Sequence, residues 1–309
     1  MKPNGDDLRF IDCDTNETLA YEIEMWNTSG ESYIWVRVPQ IDANSNYDCI
    51  WLYYNNSDAP PGENITGTWK SDYGIVYHMN LSGQDSTANN RDRVADVGSP
   101  TMNNSYIGYG IYFDGDDAWS EADLSYWEQQ WSVRTHEVVF ETGDDITTRQ
   151  TILAEGGSVN GAMMYIRNGA LYARWWSESQ GWGGGYQSTS ISPNTKYYAV
   201  MAYSYPGNYE LIVNGISVGS TATTAYMNAH SGNGGIAYTG SSSKDFDDGT
   251  YTGAYFVGNI HELWVADVVE SSEWYEAQNL SLSNMFVTYG TPEPYSLGNV
   301  SPTVTVDVI

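Results

Sequence analysis

The chain has 309 residues, of which 39 are acidic and 12 basic, for a formal net charge of −27. A field of that sign excludes nucleic acid and anionic membrane surfaces as partners, and no apolar run reaches the roughly 18 residues of a membrane-spanning helix, so membrane insertion is not expected. An apolar fraction of 41% excludes intrinsic disorder, while 26 Tyr, 12 Trp and 31 Gly point to pleated strands joined by tight turns.

The first residues, MKPNGDD, are polar and do not form a signal peptide, so either a leader has been removed or the chain is a piece of a longer one. Residues 1–58 predict a small antiparallel β-domain, with strands at 8–12 (LRFID), 19–26 (LAYEIEMW), 33–38 (YIWVRV) and 49–54 (CIWLYY). In the second strand Tyr21, Ile23 and Met25 share one face and Glu22 and Glu24 the other, the period of a half-buried strand. Cys13 and Cys49 are the only cysteines, and each lies on or beside a strand-like run. They are either a disulfide, which suits an extracellular compartment, or two buried thiols.

Residues 59–70 read as a linker, rich in Pro, Gly and Asn. From 71 to 287 about twelve short strands are predicted. Asn168-Gly169 and Asn214-Gly215 lie between consecutive strands, as two-residue hairpin turns require. That pattern means a large all-β sandwich or barrel. The one helical segment is 271–279, with Ser271 or Ser272 as its cap. Residues 288–309 are a turn-rich spacer followed by TVTVDVI, where Val304, Val306 and Val308 share one face. An isolated alternating strand must pair with something.

Asn-x-Ser/Thr acceptors occur at Asn16, Asn27, Asn55, Asn64, Asn80, Asn103, Asn279 and Asn299. Covalent glycans at some of these are expected, and they place the protein outside the cell or on its surface.

The segments YGIVYHMN (73–80), DSTANN (85–90), GYGIYFDGDDAW (108–119), ILAEGG (152–157), NGAMMYIRNGALYARW (160–175), NGISVGS (214–220) and YFVGNIHELWVAD (255–267) resemble, in order, a laminin G-like domain of the concanavalin A-like class. The resemblance covers about 72–287 and implies two antiparallel sheets packed face to face. Residues 7–58 resemble the later part of a small domain of uncharacterised function that often precedes laminin G-like domains in microbial surface proteins. Members normally carry further strands ahead of the segment matching LRFID. The departure implies an open sheet edge, and the spare strand at 303–309 suggests what fills it. In donor-strand complementation, Val304, Val306 and Val308 of one subunit would enter the N-terminal domain of the next, giving a head-to-tail homopolymer. Against this stands pairing of 303–309 within its own chain, or with a further domain.

Some concanavalin A-like folds are glycoside hydrolases, and the laminarinase-type enzymes need a Glu-x-Asp-x-Glu strand. No such run occurs. Glu137 and Glu141 share a strand face but flank Val139. Calcium is the expected cofactor, if there is one, since it takes six to eight oxygens from Asp, Asn and loop carbonyls. The candidate ligands are Asp85 and Asn89, then Asp114 and Asp116 beside Asp117, and Asp245 and Asp247. Sugar binding needs an exposed aromatic with polar neighbours, for which Trp176, Trp182 and Arg174 are the candidates. The leading expectation is a non-catalytic extracellular structural subunit of a fibre. The alternative is a carbohydrate-binding adhesin module, and a hydrolase is the remote third.

Overall fold

The computed structural model describes residues 1–42, 48–93, 95–105, 107–120, 124–230, 235–238, 254–292 and 305–308. Asp245, Asp247, Asn299 and Val304 lie outside the described residues. The chain is all-β and forms two compact units. One comprises Met1–Lys70 with Ala277–Ile309, the other Ser71–Glu276. The segment 277–287, which the sequence reading left with the sandwich, therefore belongs to the small unit.

In the small unit a five-stranded antiparallel sheet runs in the order Thr18–Leu19, Arg9–Asp12, Cys49–Tyr53, Thr305–Val308, Val287–Tyr289. Phe10 lies opposite both Leu19 and Leu52, so alternation puts the apolar side chains on one face. They pack with Leu8, Tyr21 and Ile50. The Tyr21 hydroxyl is satisfied by donating to the Leu8 carbonyl at 2.9 Å. Tyr21–Met25 pairs with Tyr33–Val36 as a separate hairpin. Its second face is partly covered. The indole N–H groups of Trp69 and Trp35 donate to Glu22 at 2.7 Å and to Glu24 at 2.8 Å.

The stretch read as a linker is structured. Asn64 N–H donates to the Tyr21 carbonyl at 3.0 Å, and Glu63 accepts from Ile23 N–H at 2.6 Å. Asn64 then caps a helical turn, Ile65–Thr68, through Gly67 N–H. Loop-like composition here reflects turn and cap chemistry. Cys13 and Cys49 are bonded, with Cα atoms 5.5 Å apart. Closing a loop of 36 residues stabilises the unit by about 3–4 kcal/mol in the chain-entropy model.

Thr305–Val308 pairs within its own chain, with Thr305 opposite Trp51, Val306 opposite Ile50 and Asp307 opposite Cys49. Val287–Tyr289 joins the sheet through this strand. In this structure the edge of Cys49–Tyr53 is thus filled by a strand of the same molecule.

The second unit is the sandwich. One sheet has seven strands in the order Trp182–Ser190, Ala170–Ser177, Asn160–Arg167, Gln150–Gly156, Gly235–Ile236, Ala118–Ser120, Ala95–Val97. The other follows the order Ile216–Ala222, Asn208–Val213, Lys196–Ser204, Val133–Thr142, Val257–Ala266, Tyr109–Asp114, Thr101–Asn104, with Tyr73–Tyr77 on the second half of Val257–Ala266. Both hairpins form at Asn168-Gly169 and Asn214-Gly215, with positive φ at all four residues. Between the sheets lies an apolar core that includes Trp119, Phe140, Ile152, Met164, Trp175, Leu211 and Val265. The longest described helix is Ser272–Leu282, whose Trp274 N–H is accepted by the Ser271 hydroxyl. Among the described residues no helix is long and apolar enough to cross a membrane.

Candidate functional site

The outer face of the seven-stranded sheet follows from register. Ala162, Met164, Ile166, Leu171, Ala173 and Trp175 enter the core. Alternation sends Met163, Tyr165, Arg167, Tyr172, Arg174 and Trp176 the other way. The Asn168-Gly169 turn sets Arg167 opposite Ala170, and hence Tyr165 opposite Tyr172. Their rings stack with centroids 4.9 Å apart and an angle of 5°. Tyr186, on the edge strand opposite Arg174, adds a third ring 5.8 Å from Tyr172. Exposure rises along this row. Tyr165 is fully buried, Tyr172 is half-buried and Tyr186 is 46% exposed.

Two guanidinium groups flank the row. Arg167 lies over the Tyr172 ring at 5.3 Å, a cation–π contact that holds the ring flat. Arg174 is half-buried between Met163 and Tyr186, its opposite residues on the adjacent strands. Its Nε is buried without a hydrogen-bond acceptor. The face therefore offers graded aromatic surface beside an unsatisfied cation, on rigid strands.

Of the three predicted sugar contacts only Arg174 belongs to this surface. Trp176 is fully buried, packs on Ala154, Met163 and Tyr165, and donates its indole N–H to the Gly157 carbonyl at 2.9 Å. Trp175 and Trp176 point to opposite faces, and Trp176 is buried because its own face is covered there, Ala254 included. Trp182 sits on a strand and not in a loop. It packs against the core, 6.0 Å from Tyr203 and 5.8 Å from Tyr209. The glycines after it explain this: a Cβ at Gly185 would lie 2.2 Å from the Tyr209 hydroxyl. Tyr172 and Tyr186 are the residues the sequence reading missed.

The predicted calcium ligands separate. Asp85 accepts from Val76 N–H, Thr87 N–H, the Thr87 hydroxyl and Arg91 N–H at 2.7–3.0 Å. Asn89 donates to the carbonyls of Tyr73 and Gly74. Both are engaged in holding their loop. Asp114, Asp116 and Asp117 do converge, each offering a carboxylate oxygen within 4.8 Å of the others. The neighbouring Asp114 carboxylate holds Asp116 above the ordinary aspartate value.

Among the acceptor asparagines, Asn16, Asn27, Asn55, Asn64 and Asn103 are exposed, while Asn80 and Asn279 are half-buried. Asn80 is also engaged, accepting from Ser82 N–H and Gly83 N–H.

A second cluster lies inside the sandwich. Glu155 projects from the seven-stranded sheet towards Arg134 and His136 on the opposing one. Arg134 approaches it at 3.2 Å, His136 Nε2 at 2.8 Å, and Trp131 donates its indole N–H at 2.6 Å. His230 Nε2 is 3.7 Å away. Burial alone would raise the Glu155 pKa, but Arg134 and His136 outweigh it and hold the carboxyl well below the usual range. Both Glu155 and Arg134 have fully buried side chains, which makes this a buried charged network joining the sheets. Glu137, one of the two acidic residues considered for hydrolysis, is buried and accepts the Tyr198 hydroxyl.

Residues 4–82 match a family described as a domain of unknown function, DUF2341. The match runs past the small unit into the first sandwich strand. No curated protein sequence matches the chain. Among solved structures, domain 4 of AbnA, a GH43 extracellular arabinanase from Geobacillus stearothermophilus determined with arabinotriose, is similar over 66% of this chain and 97% of its own, at 12% identity and a TM-score of 0.51. The binding domain of Paraclostridial Mosquitocidal Protein 1 is similar over 73% of this chain and 56% of its own, at 11% identity and a TM-score of 0.54. The botulinum neurotoxin serotype D binding domain gives 74% and 55%, at 11% identity and 0.53. The chain spans little more than half the length of these toxin fragments. Such likeness shows a shared fold, and with the sheet topology it gives the sandwich a concanavalin A-like architecture.

Proposed function

We propose that the protein is a non-catalytic extracellular module that binds carbohydrate on the outer face of its seven-stranded sheet. The observation that carries this is the row Tyr165–Tyr172–Tyr186, which ends in an exposed ring beside Arg174. A sugar presents a C–H-rich face to such rings and hydroxyls to the flanking guanidinium groups, and rings held by packing lose little entropy on binding. The arabinanase domain determined with arabinotriose supports the reading, as does a botulinum neurotoxin DC binding domain in complex with SialylT, at 10% identity and a TM-score of 0.52. The disulfide and the exposed acceptor asparagines suit a cell-surface or secreted location.

Tyr186→Ala and Tyr172→Ala are each expected to weaken binding on a glycan array by about tenfold or more, the loss of one anchoring contact. Unchanged binding by both variants would remove this face from consideration.

The fibre reading keeps one specific support. The free edge of Cys49–Tyr53 is completed by Thr305–Val308, and the same strand from a second copy would present the same backbone groups. Asp114, Asp116 and Asp117 are the proposed calcium group. Added calcium is expected to raise the melting temperature of the native chain by several degrees, and to leave that of Asp116→Asn unchanged. Equal shifts in both would assign the ion elsewhere.

A further inference from the structure

The sugar-binding reading leaves open what kind of glycan the face selects. We infer that it takes an oligosaccharide ending in a single carboxylate-bearing sugar, with the carboxylate on Arg174; this rests on the proposed glycan-binding role of the face.

The argument begins with scarcity. The chain has only 12 Lys and Arg among 309 residues, yet Arg167 and Arg174 both stand on this face beside the same tyrosine. Arg167 is committed to the Tyr172 ring. Arg174 forms no ion pair with any described residue, although 39 acidic side chains are present in the chain. Its Nε is buried and lacks an acceptor. The Nη groups of this half-buried side chain are not among the buried atoms and take no partner among the described residues, so they are open to a carboxylate from outside. A guanidinium and a carboxylate meet in a planar, two-point geometry, which fixes the sugar's orientation as well as its charge.

Position supports the same pairing. Arg174 lies two residues along the strand from Tyr172 and opposite Tyr186. A ring stacked on Tyr172 or Tyr186 would thus hold a ring-borne carboxylate near the guanidinium. The net charge of −27 then sets the number of charges. A polyanion would extend beyond the arginines into repulsive surface, whereas a lone terminal carboxylate stays within a screening length of about 8 Å of Arg174. The occupant is therefore monoacidic and not a sulfated or polyuronic chain.

The test compares matched pairs on one array: lactose with sialyllactose, and cellobiose with its terminal uronic acid form, with a heparin oligosaccharide added. The full chain is expected to bind at least one acidic member about tenfold better than its neutral partner, and heparin no better than the neutral sugars. Arg174→Gln is expected to bring the acidic member down to the neutral level, and Arg174→Lys to recover part of the difference. Tyr186→Ala should weaken acidic and neutral members alike. Equal binding of acidic and neutral members, or stronger binding of heparin, would overturn the inference and leave the glycan reading intact. A preference that survives Arg174→Gln would overturn the assignment to this residue. Absence of binding to every member would overturn both.

Discussion

Glu155→Gln is expected to lower the melting temperature of the sandwich by about 6–20 °C. Gln keeps the shape of the side chain and can still accept from Trp131. It removes the charge that Arg134 and His136 face from the other sheet. Arg134 is then left fully buried with Asp267, whose carboxylate is 3.5 Å from Nε and 46% exposed. Stranding one partner of a buried pair costs about 3–5 kcal/mol. In a domain of this size each kcal/mol is about 2–4 °C. The double change Glu155→Leu with Arg134→Met is expected to cost less than Glu155→Gln alone, because it removes both fully buried charges and the one it unpairs, Asp267, is 46% exposed. Thermal melts followed by near-ultraviolet circular dichroism would read both. A Glu155→Gln melt within 2–3 °C of the native one would show that the network contributes little.

The same carboxylate fixes a pH dependence. Its folded pKa lies well below the ordinary glutamate value. A depressed acid contributes stability that is fully present above the unfolded pKa of about 4.3, and loses it as pH falls through the folded value. The gap between native and Glu155→Gln melts should therefore be widest near neutral pH and close as the solution is acidified below about 4.

The contrast between the two clusters shows what a sequence carries. The two hairpins were legible because Asn-Gly turns demand positive φ, and the register of the Tyr row follows from one of them by counting. Arg167 and Ala170 flank the turn, so Tyr165 and Tyr172 must be opposite. Sequence reasoning instead took Trp176 and Trp182 as exposed aromatics, whereas Trp176 is fully buried and Trp182 packs against the core. Ala154, Met163, Tyr165 and Ala254 cover Trp176 on its own face, and a run of glycines lets Trp182 turn into the core beside Tyr209. Neither event has a local signature in the tryptophans themselves. Glu155 was visible as a charge in an apolar strand, but its partners lie on a strand of the opposite sheet, and only the sandwich brings them together. The hydrogen bonding of Asp85 was hidden for a related reason. Its oxygens accept chiefly from backbone N–H groups, those of Val76, Thr87 and Arg91, and such groups are supplied equally by nearly any residue type.

The strand at the end of the chain carries the second large effect. Removing residues 303–309 is expected to destabilise the small unit by several kcal/mol and to leave the melting of the sandwich unchanged. Thr305, Val306 and Asp307 pair with Cys49–Tyr53, and Val306, Asp307 and Val308 with Val287–Tyr289. Deletion strips both ladders, and each lost backbone hydrogen bond is worth about 0.5–1.5 kcal/mol. It also frees Val287, which packs on the Leu8–Ile50 core. The slot itself should persist, because the Cys13–Cys49 disulfide and the pairing of Arg9–Asp12 with Cys49–Tyr53 do not involve the missing strand. A synthetic TVTVDVI peptide added to the shortened chain is therefore expected to restore the lost transition in a concentration-dependent way. That outcome would mean the slot accepts a strand from outside, the physical condition for subunits to join head to tail. If the peptide restores nothing while the small unit remains folded, donation between chains loses its basis, and the strand acts only as the closing edge of its own molecule.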